Sequence, residues 1–177
     1  MKAEANIILV GMMGAGKTTV GRVLARRTKR PYFDSDEEIE RRCGVRVPVV
    51  FEIEGERGFR SREKQVIADL CAAGGSVIAT GGGAVLDPDN RRRLSTSGTV
   101  IYLHAKPSQL WHRVRHDRNR PLLASGDPQK KLEELYAQRD PLYREVAAIV
   151  VETGRQSVQT LAKDLIARLD AACRLSA

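Results

Sequence analysis

The chain has 177 residues, 42% hydrophobic and 29% charged, a size and composition that fit a soluble globular protein with a single core. This composition excludes a disordered or fibrous protein, and the apolar runs are too short to cross a membrane. The formal net charge of +8 predicts an anionic partner. That partner is either a nucleic acid or a pair of anionic small molecules held in one pocket, and composition alone does not separate the two.

The amino-terminal residues and the cysteines indicate a cytoplasmic protein. Residues 1–6 lead straight into an apolar, strand-like stretch and lack the pattern of a signal peptide. Cys43, Cys71 and Cys173 are odd in number and far apart, which favours reduced thiols over a disulfide framework or a zinc site. We therefore expect a cytoplasmic protein without membrane contact.

Short apolar strands alternate with helical stretches, which is typical of a parallel α/β sheet. The predicted strands cover residues 7–10, 32–33, 76–80, 99–103 and 148–151. Helices are predicted near residues 17–29 and 36–43, and a long helix is predicted to open at residue 56. Asp87-Pro88 and Asp127-Pro128 each predict a further helix, because an N-cap aspartate precedes a proline of the first turn.

No repeat or linker interrupts this pattern, so residues 1–177 are interpreted as one domain. Residues 113–126 are polar and rich in arginine, and they end in Ser125-Gly126. We predict that this segment forms a mobile lid over one edge of the domain. Arg120 lies in it, where an arginine on a closing loop can neutralise charge on a transferring phosphoryl group.

A glycine-rich turn lies between the first predicted strand and the first predicted helix. Its sequence, Gly11-Met12-Met13-Gly14-Ala15-Gly16-Lys17-Thr18, matches the phosphate-loop pattern G-x-x-x-x-G-K-[ST]. In such a turn the backbone N–H groups bind phosphate oxygens, the lysine reaches the β- and γ-phosphates, and the hydroxyl can bind Mg²⁺. A chance glycine-rich turn is the alternative, and the flanking strand and helix argue against it. The motif predicts a nucleoside triphosphate but not a reaction, because the same fold hosts kinases, ATPases and GTPases.

Two aspartates, Asp34 and Asp36, follow the second predicted strand. Strand ends of a parallel sheet face the ligand crevice, so one carboxylate could contribute to a Mg²⁺ site and the other could accept from a substrate hydroxyl. The alternative is that one of them only caps the next helix. The sequence leaves both interpretations open.

Two other features could bind a substrate. Arg60 and Glu63 share a helix face, and taken alone the pair is best interpreted as a surface salt bridge. The functional alternative is that Glu63 orients the Arg60 guanidinium toward a carboxylate. Residues 81–83 are three glycines after the third strand, which suits a close approach of a ligand to the backbone.

Taken in order, these elements resemble the shikimate kinase family of the nucleoside monophosphate kinase-like P-loop proteins. The resemblance covers nearly the whole chain. The matching parts are the phosphate loop, Asp34-Ser35-Asp36, Phe59-Arg60-x-x-Glu63, Gly81-Gly82-Gly83, Arg120-Pro121-Leu122 and Arg139-x-Pro141-x-Tyr143. The resemblance implies a three-layer P-loop kinase fold, in which helices flank a five-stranded parallel sheet. It also implies ATP-dependent phosphorylation of the shikimate 3-hydroxyl, giving shikimate 3-phosphate in the chorismate route to aromatic amino acids.

The resemblance also implies roles for individual residues. The residues implied to bind shikimate are Asp36, Arg60, Gly82 and Arg139. The residues implied to bind ATP are Gly14, Ala15, Gly16, Lys17, Thr18, Thr19, Arg113, Arg120 and Arg155. Lys17, Asp36 and Arg120 are implied to be catalytic, with Thr18 and Asp34 organising Mg²⁺. The expected partners are ATP and shikimate rather than nucleic acid, and the expected state is a monomer.

Two rival functions stay open at this point. A gluconate-type sugar-acid kinase shares the phosphate loop, although the Arg60–Glu63 pair and the three glycines argue against it. A nucleotide-binding module without transferase activity could use its arginines on RNA. No aromatic residues alternate with the basic runs, which argues against that second function. The remaining histidines, His104, His112 and His116, lack the spacing of a metal site or a catalytic triad and are interpreted as structural or surface residues.

Overall fold

A five-stranded parallel sheet forms the centre of the structure, a computed structural model that describes residues 5–117, 121–123, 126–154 and 156–175. The strands are β1 (Asn6–Val10), β2 (Tyr32–Asp34), β3 (Val77–Ala79), β4 (Gly98–His104) and β5 (Ile149–Glu152). Their order is β2-β3-β1-β4-β5, and every neighbouring pair is parallel. The predicted α/β class and strand number are therefore confirmed.

Seven helices connect and cover the strands in the described part of the chain. They are α1 (Lys17–Thr28), α2 (Ser35–Cys43), α3 (Val47–Ala73), α4 (Pro88–Ser97), α5 (Pro107–Val114), α6 (Pro128–Val146) and α7 (Val158–Leu175). Short 3₁₀ turns cover Ala84–Leu86 and Pro121–Leu123. The predicted caps of α4 and α6 are confirmed, because the Asp87 and Asp127 side chains each accept two backbone N–H groups of the first turn.

Helix α3 begins earlier than the sequence predicted. It starts at Val47, and Gly55 interrupts it with a left-handed φ of 68° and a ψ of −179°. A helical segment therefore precedes Gly55 and another follows it, and the predicted start at residue 56 corresponds to the second segment. Glycine allows this break because it has no Cβ to clash at a positive φ.

The lid predicted for residues 113–126 is only partly described. Arg113 and Val114, which the prediction included in the lid, form the last turn of α5 instead. These residues are helical rather than part of a loop because Leu110 and Val114 are both buried, one turn apart on the same helix face. Residues 118–120 and 124–125 lie outside the described residues.

The core lies on both faces of the sheet. All five residues of β1 are buried, as expected for the central strand of a parallel sheet covered by helices on two sides. The carboxyl ends of β1, β2 and β3 meet at one edge and lead into the phosphate loop, Asp34 and the three glycines. No described helix combines the length and apolar character needed to cross a bilayer.

Candidate functional site

The phosphate loop joins β1 to α1 through two glycines in left-handed conformations. Gly14 has a φ of 77°, and Gly16, the N-cap of α1, has a φ of 97°. No side chain caps α1, and its first turn contains no acidic residue, so the helix N-terminus presents its N–H groups to an anion. The Lys17 ammonium group donates to the carbonyls of Gly11 (2.7 Å) and Met12 (2.9 Å), which holds it against the loop.

Asp34 caps the next helix, as one of the two interpretations predicted, and its second oxygen contacts the phosphate loop. Its Oδ1 accepts from the backbone N–H groups of Asp36 (3.0 Å) and Glu37 (3.4 Å), so Asp34 caps α2. Its Oδ2 accepts from the Thr18 hydroxyl at 3.1 Å. The carboxylate therefore links the start of α2 to the phosphate loop.

The Thr18–Asp34 pair has the chemistry of a magnesium site next to phosphates. Hydroxyl and carboxylate oxygens are the hard ligands that Mg²⁺ prefers, and this ion usually completes its shell with water and substrate phosphates. Among the described residues no group of three or more His, Cys, Asp or Glu side chains could hold a metal ion by itself. The residues present therefore fit a magnesium ion that arrives with a nucleotide.

The three glycines at residues 81–83, here called the glycine turn, contact a different functional side chain at each position. A Cβ on Gly81 would lie 2.7 Å from Oδ1 of Asp36 and 2.9 Å from Oε1 of Glu63. A Cβ on Gly82 would lie 3.3 Å from a terminal nitrogen of Arg139, and one on Gly83 would overlap the Arg60 guanidinium. Glycine thus leaves room for these protein side chains, whereas the predicted close approach of a ligand to the backbone stays a prediction.

Arg60 and Glu63 form a largely buried ion pair rather than a surface salt bridge. Nη1 of Arg60 donates to Oε2 of Glu63 at 2.8 Å, with side-chain exposures of 22% and 2%. Burial raises the pKa of the Glu63 carboxyl group above its ordinary value, and the charge of Arg60 opposes that shift. The surface interpretation fails because α3 packs Glu63 behind the glycine turn, next to Phe59 and Val66 of the core.

Arg139 is the second cation near the glycine turn. It lies on α6 and is only 2% exposed. The Nε atoms of Arg60 and Arg139 are both buried and have no hydrogen-bond acceptor among the described residues. Because an unsatisfied buried donor is destabilising, this arrangement favours an anion that accepts from both guanidinium groups.

One cavity of about 750 Å³ joins the phosphate loop to the glycine turn. Its phosphate end is lined by Gly14, Ala15, Gly16, Lys17, Thr18, Thr19, Asp34 and Arg113. Its guanidinium end is lined by Asp36, Arg60, Gly82 and Arg139. Arg113 donates to the Gly14 carbonyl at 2.8 Å and to the Thr153 hydroxyl at 3.4 Å, beside the loop. The structure thus brings all of these predicted residues together, while Arg120 and Arg155 lie outside the described residues.

Sequence reasoning gave no role to Tyr143, whose hydroxyl donates to the Gly82 carbonyl. It also gave no partner to His104, whose Nδ1 lies 2.5 Å from Glu152 and whose Nε2 lies 2.7 Å from the Tyr136 hydroxyl. These contacts join distant parts of the chain, so no local spacing could reveal them. His104 is buried and does not line the cavity, which agrees with its predicted structural role.

The fold is that of a P-loop kinase, and its cavity joins the phosphate loop at one end to the guanidinium groups of Arg60 and Arg139 at the other. Comparison with known proteins agrees. A sequence model described as shikimate kinase matches residues 13–170. The shikimate kinase of Cupriavidus pinatubonensis is 59% identical over 94% of this chain and 87% of its own length. The chain belongs to the shikimate kinase family, and it is an ATP-dependent small-molecule kinase.

Solved structures place the chain in the same family. The structure of a shikimate kinase from Acinetobacter baumannii in complex with shikimate has a TM-score of 0.92 and 46% sequence identity, and the match covers 96% of this chain and 94% of that one. A gluconokinase from Sinorhizobium meliloti has a TM-score of 0.55 and 17% identity, over 97% of this chain and 95% of that one. The second likeness shows the fold alone.

Proposed function

We propose that the protein transfers the γ-phosphoryl group of ATP to the 3-hydroxyl of shikimate, giving shikimate 3-phosphate and ADP. The observation that carries this proposal is the guanidinium end of the cavity. Two arginines, whose buried Nε donors have no acceptor among the described residues, line the same cavity as the Asp36 carboxylate and the phosphate loop. Shikimate supplies the complementary chemistry, a carboxylate and ring hydroxyls on one small rigid molecule.

At the guanidinium end, Arg60 and Arg139 bind the carboxylate of shikimate, and Glu63 orients Arg60 from behind. Charge-assisted hydrogen bonds to a planar guanidinium are strong and directional, so the clamp also fixes the ring. Asp36 accepts from the ring hydroxyls, orients the nucleophile and can take its proton. Gly82 allows the ring to approach the backbone.

At the phosphate end, the N–H groups of residues 14–19 and the Lys17 ammonium group bind the β- and γ-phosphates. Thr18 and Asp34 would hold Mg²⁺, which supplies charge neutralisation between the phosphate oxygens. Arg120 neutralises the transferring phosphoryl group from the lid, and Arg113 and Arg155 flank the adenine. The Lys17 contacts to Gly11 and Met12 keep its charge at the loop before the nucleotide binds.

We further propose that residues 1–177 act as one kinase domain with a mobile lid, as a cytoplasmic monomer that requires Mg²⁺ and binds no nucleic acid. Arg60 and Arg139 support the preference for small anions, because both line the cavity and each has a buried Nε atom with no acceptor among the described residues.

The direct test is an assay that couples ADP release to NADH oxidation, with Mg-ATP and either shikimate, D-gluconate or no acceptor. We expect ADP release in proportion to added shikimate and only background release with the other two. Turnover with gluconate but not with shikimate would favour the sugar-acid kinase. Nucleotide binding without ADP release under any condition would favour the non-catalytic module.

A further inference from the structure

Two fully buried side chains hold the glycine turn from opposite ends. The hydroxyl oxygen of Ser35, at the start of α2, accepts from the Gly81 N–H at 2.8 Å. The hydroxyl of Tyr143, on α6, donates to the Gly82 carbonyl and also lies 3.6 Å from Sδ of Met12 in the phosphate loop. Both residues have 0% exposure. Between these two contacts the Gly81 carbonyl accepts from the Ala84 N–H at 3.1 Å, so three successive peptide units are each tied by one hydrogen bond.

This arrangement sets the direction of the remaining backbone donors. In a trans peptide the N–H group points opposite to the carbonyl of the same unit. Fixing the carbonyls of Gly81 and Gly82 therefore also fixes the N–H groups of Gly82 and Gly83. Neither N–H has an acceptor among the described residues, and both glycines line the cavity.

Tyr143 is also linked to the anion-binding arginine. Arg139 lies one turn before it on α6, and the two side chains interact. Burial raises the pKa of the Tyr143 hydroxyl, so the hydroxyl stays protonated and acts as a donor to Gly82. The Tyr143 ring packs against Tyr102 of β4 with ring centroids 4.9 Å apart, which ties its position to the sheet.

We propose that Tyr143 and Ser35 are positioning residues for the phosphoryl acceptor: they hold the glycine turn so that its N–H groups and Arg139 face the acceptor. This inference rests on the proposed function, because it assigns the guanidinium end of the cavity to shikimate. Neither side chain lines the cavity, so both act through the turn. Their loss should weaken acceptor binding and leave nucleotide binding unchanged.

The matched pair of variants is Tyr143→Phe and Tyr102→Phe. Each removes one hydroxyl from the same stacked ring pair, and the Tyr102 hydroxyl donates instead to Oδ1 of Asp140 at 2.8 Å, away from the cavity. Ser35→Ala tests the other end of the turn independently. For each protein we would measure KM for both substrates, the Kd of shikimate without nucleotide by calorimetry, and the thermal unfolding midpoint.

For Tyr143→Phe and Ser35→Ala we expect the KM and nucleotide-free Kd of shikimate to rise about five- to tenfold, which is the effect of one lost hydrogen bond. We expect the KM of ATP to stay within twofold of the wild-type value. The Tyr102→Phe protein should have wild-type KM values for both substrates. Unchanged shikimate affinity in a folded Tyr143→Phe protein overturns the proposal. So does a Tyr102→Phe protein that loses as much shikimate affinity as Tyr143→Phe does. If Tyr143→Phe does not fold, Ser35→Ala decides by the same criterion. A wild-type protein that does not phosphorylate shikimate would instead refute the proposed function itself.

Discussion

The Thr18 hydroxyl in the first turn of α1 lies 3.1 Å from Oδ2 of Asp34 at the end of β2, while Oδ1 of the same carboxylate caps α2. The two oxygens of Asp34 therefore have separate partners. One stabilises a helix, and the other faces the phosphate loop. Since asparagine caps a helix about as well as aspartate does, the charge of Asp34 can be removed without removing the cap.

Asp34→Asn should separate these two roles. We expect a change of less than about 0.5 kcal/mol in the free energy of unfolding, because the cap is retained. The Mg²⁺ concentration for half-maximal activity should rise about tenfold or more, because an amide is a weaker ligand for a hard cation than a carboxylate. The measurement is a Mg²⁺ titration at fixed ATP.

Asp87→Asn is the control for the magnesium titration. Asp87 caps α4 with the same geometry but does not line the cavity. The role assigned to Asp34 is wrong if the two variants show the same Mg²⁺ dependence.

Lys17→Ala should leave a folded protein whose kcat is about 10²–10³-fold lower, since one electrostatic contact to the transferring group commonly contributes that much. Lys163→Ala, which removes an exposed lysine of α7, should keep wild-type turnover. Steady-state kinetics at saturating substrates, with circular dichroism to check folding, test this prediction. Near-normal turnover of Lys17→Ala would contradict the assignment of the phosphate loop.

The carboxylate clamp predicts strong discrimination against shikimate methyl ester. An ester cannot pair with the buried guanidinium groups of Arg60 and Arg139, so its kcat/KM should be on the order of a hundredfold lower than that of the acid. Arg60→Ala should reduce the ratio of kcat/KM between the acid and the ester, because it removes part of the clamp. Asp36→Asn should lower kcat/KM for both acceptors and leave the acid-to-ester ratio unchanged.

The control for the clamp is Arg57→Ala, which removes an exposed arginine of the same helix that does not line the cavity. It should keep the full ratio of acid to ester. Equal kcat/KM for the two acceptors with the wild-type protein would refute the clamp.

A pH-dependent contribution to stability should come from Glu38, on the helix that carries Asp36. Hydrogen bonds from Arg41 and Arg42 lower the pKa of Glu38 from its ordinary value of 4.5 to about 2. A lowered folded-state pKa stabilises the protein above pH 4.5, and this contribution disappears as the pH falls toward 2. Glu38→Gln should therefore reduce the free energy of unfolding by about 1 kcal/mol at pH 7, a value discounted for the solvent exposure of Arg41, and by almost nothing near pH 2.

Urea unfolding at both pH values tests the contribution of Glu38. Glu134→Gln serves as the reference, because the one ion pair of Glu134 within the described part of the chain is an exposed contact of 3.8 Å to Lys131. A loss for Glu38→Gln that is the same at both pH values would show that side-chain packing, not charge, is responsible.

Local sequence signals were sufficient for the fold and for the position of the phosphate loop. The motif at residues 11–18 depends only on residues that are adjacent in the sequence. The caps at Asp87 and Asp127 likewise act within one helical turn. The strands were predicted to within two residues, and β1 and β3 were the clearest because a buried parallel strand is a continuous apolar run. The observed boundaries differ from the predicted ones where tertiary packing determines them, as at Val114, which was predicted in the lid and lies in α5.

The guanidinium end was harder to predict because its groups come from distant parts of the chain. The Arg60–Glu63 pair looks like an ordinary surface ion pair until the glycine turn is known to lie over it. The contact between Tyr143 and Gly82 spans 61 positions and depends on how α6 packs on the sheet. The family resemblance supplied Gly82 and Arg139, while the residues that support them became visible only in the structure.

The crowding around the glycine turn limits which side chains can be introduced there. A side chain at Gly81 would displace Asp36 and Glu63, one at Gly82 would press on Arg139, and one at Gly83 would overlap Arg60. An inhibitor anchored to the backbone of this turn would therefore bind a surface on which any added side chain meets a polar group of the cavity.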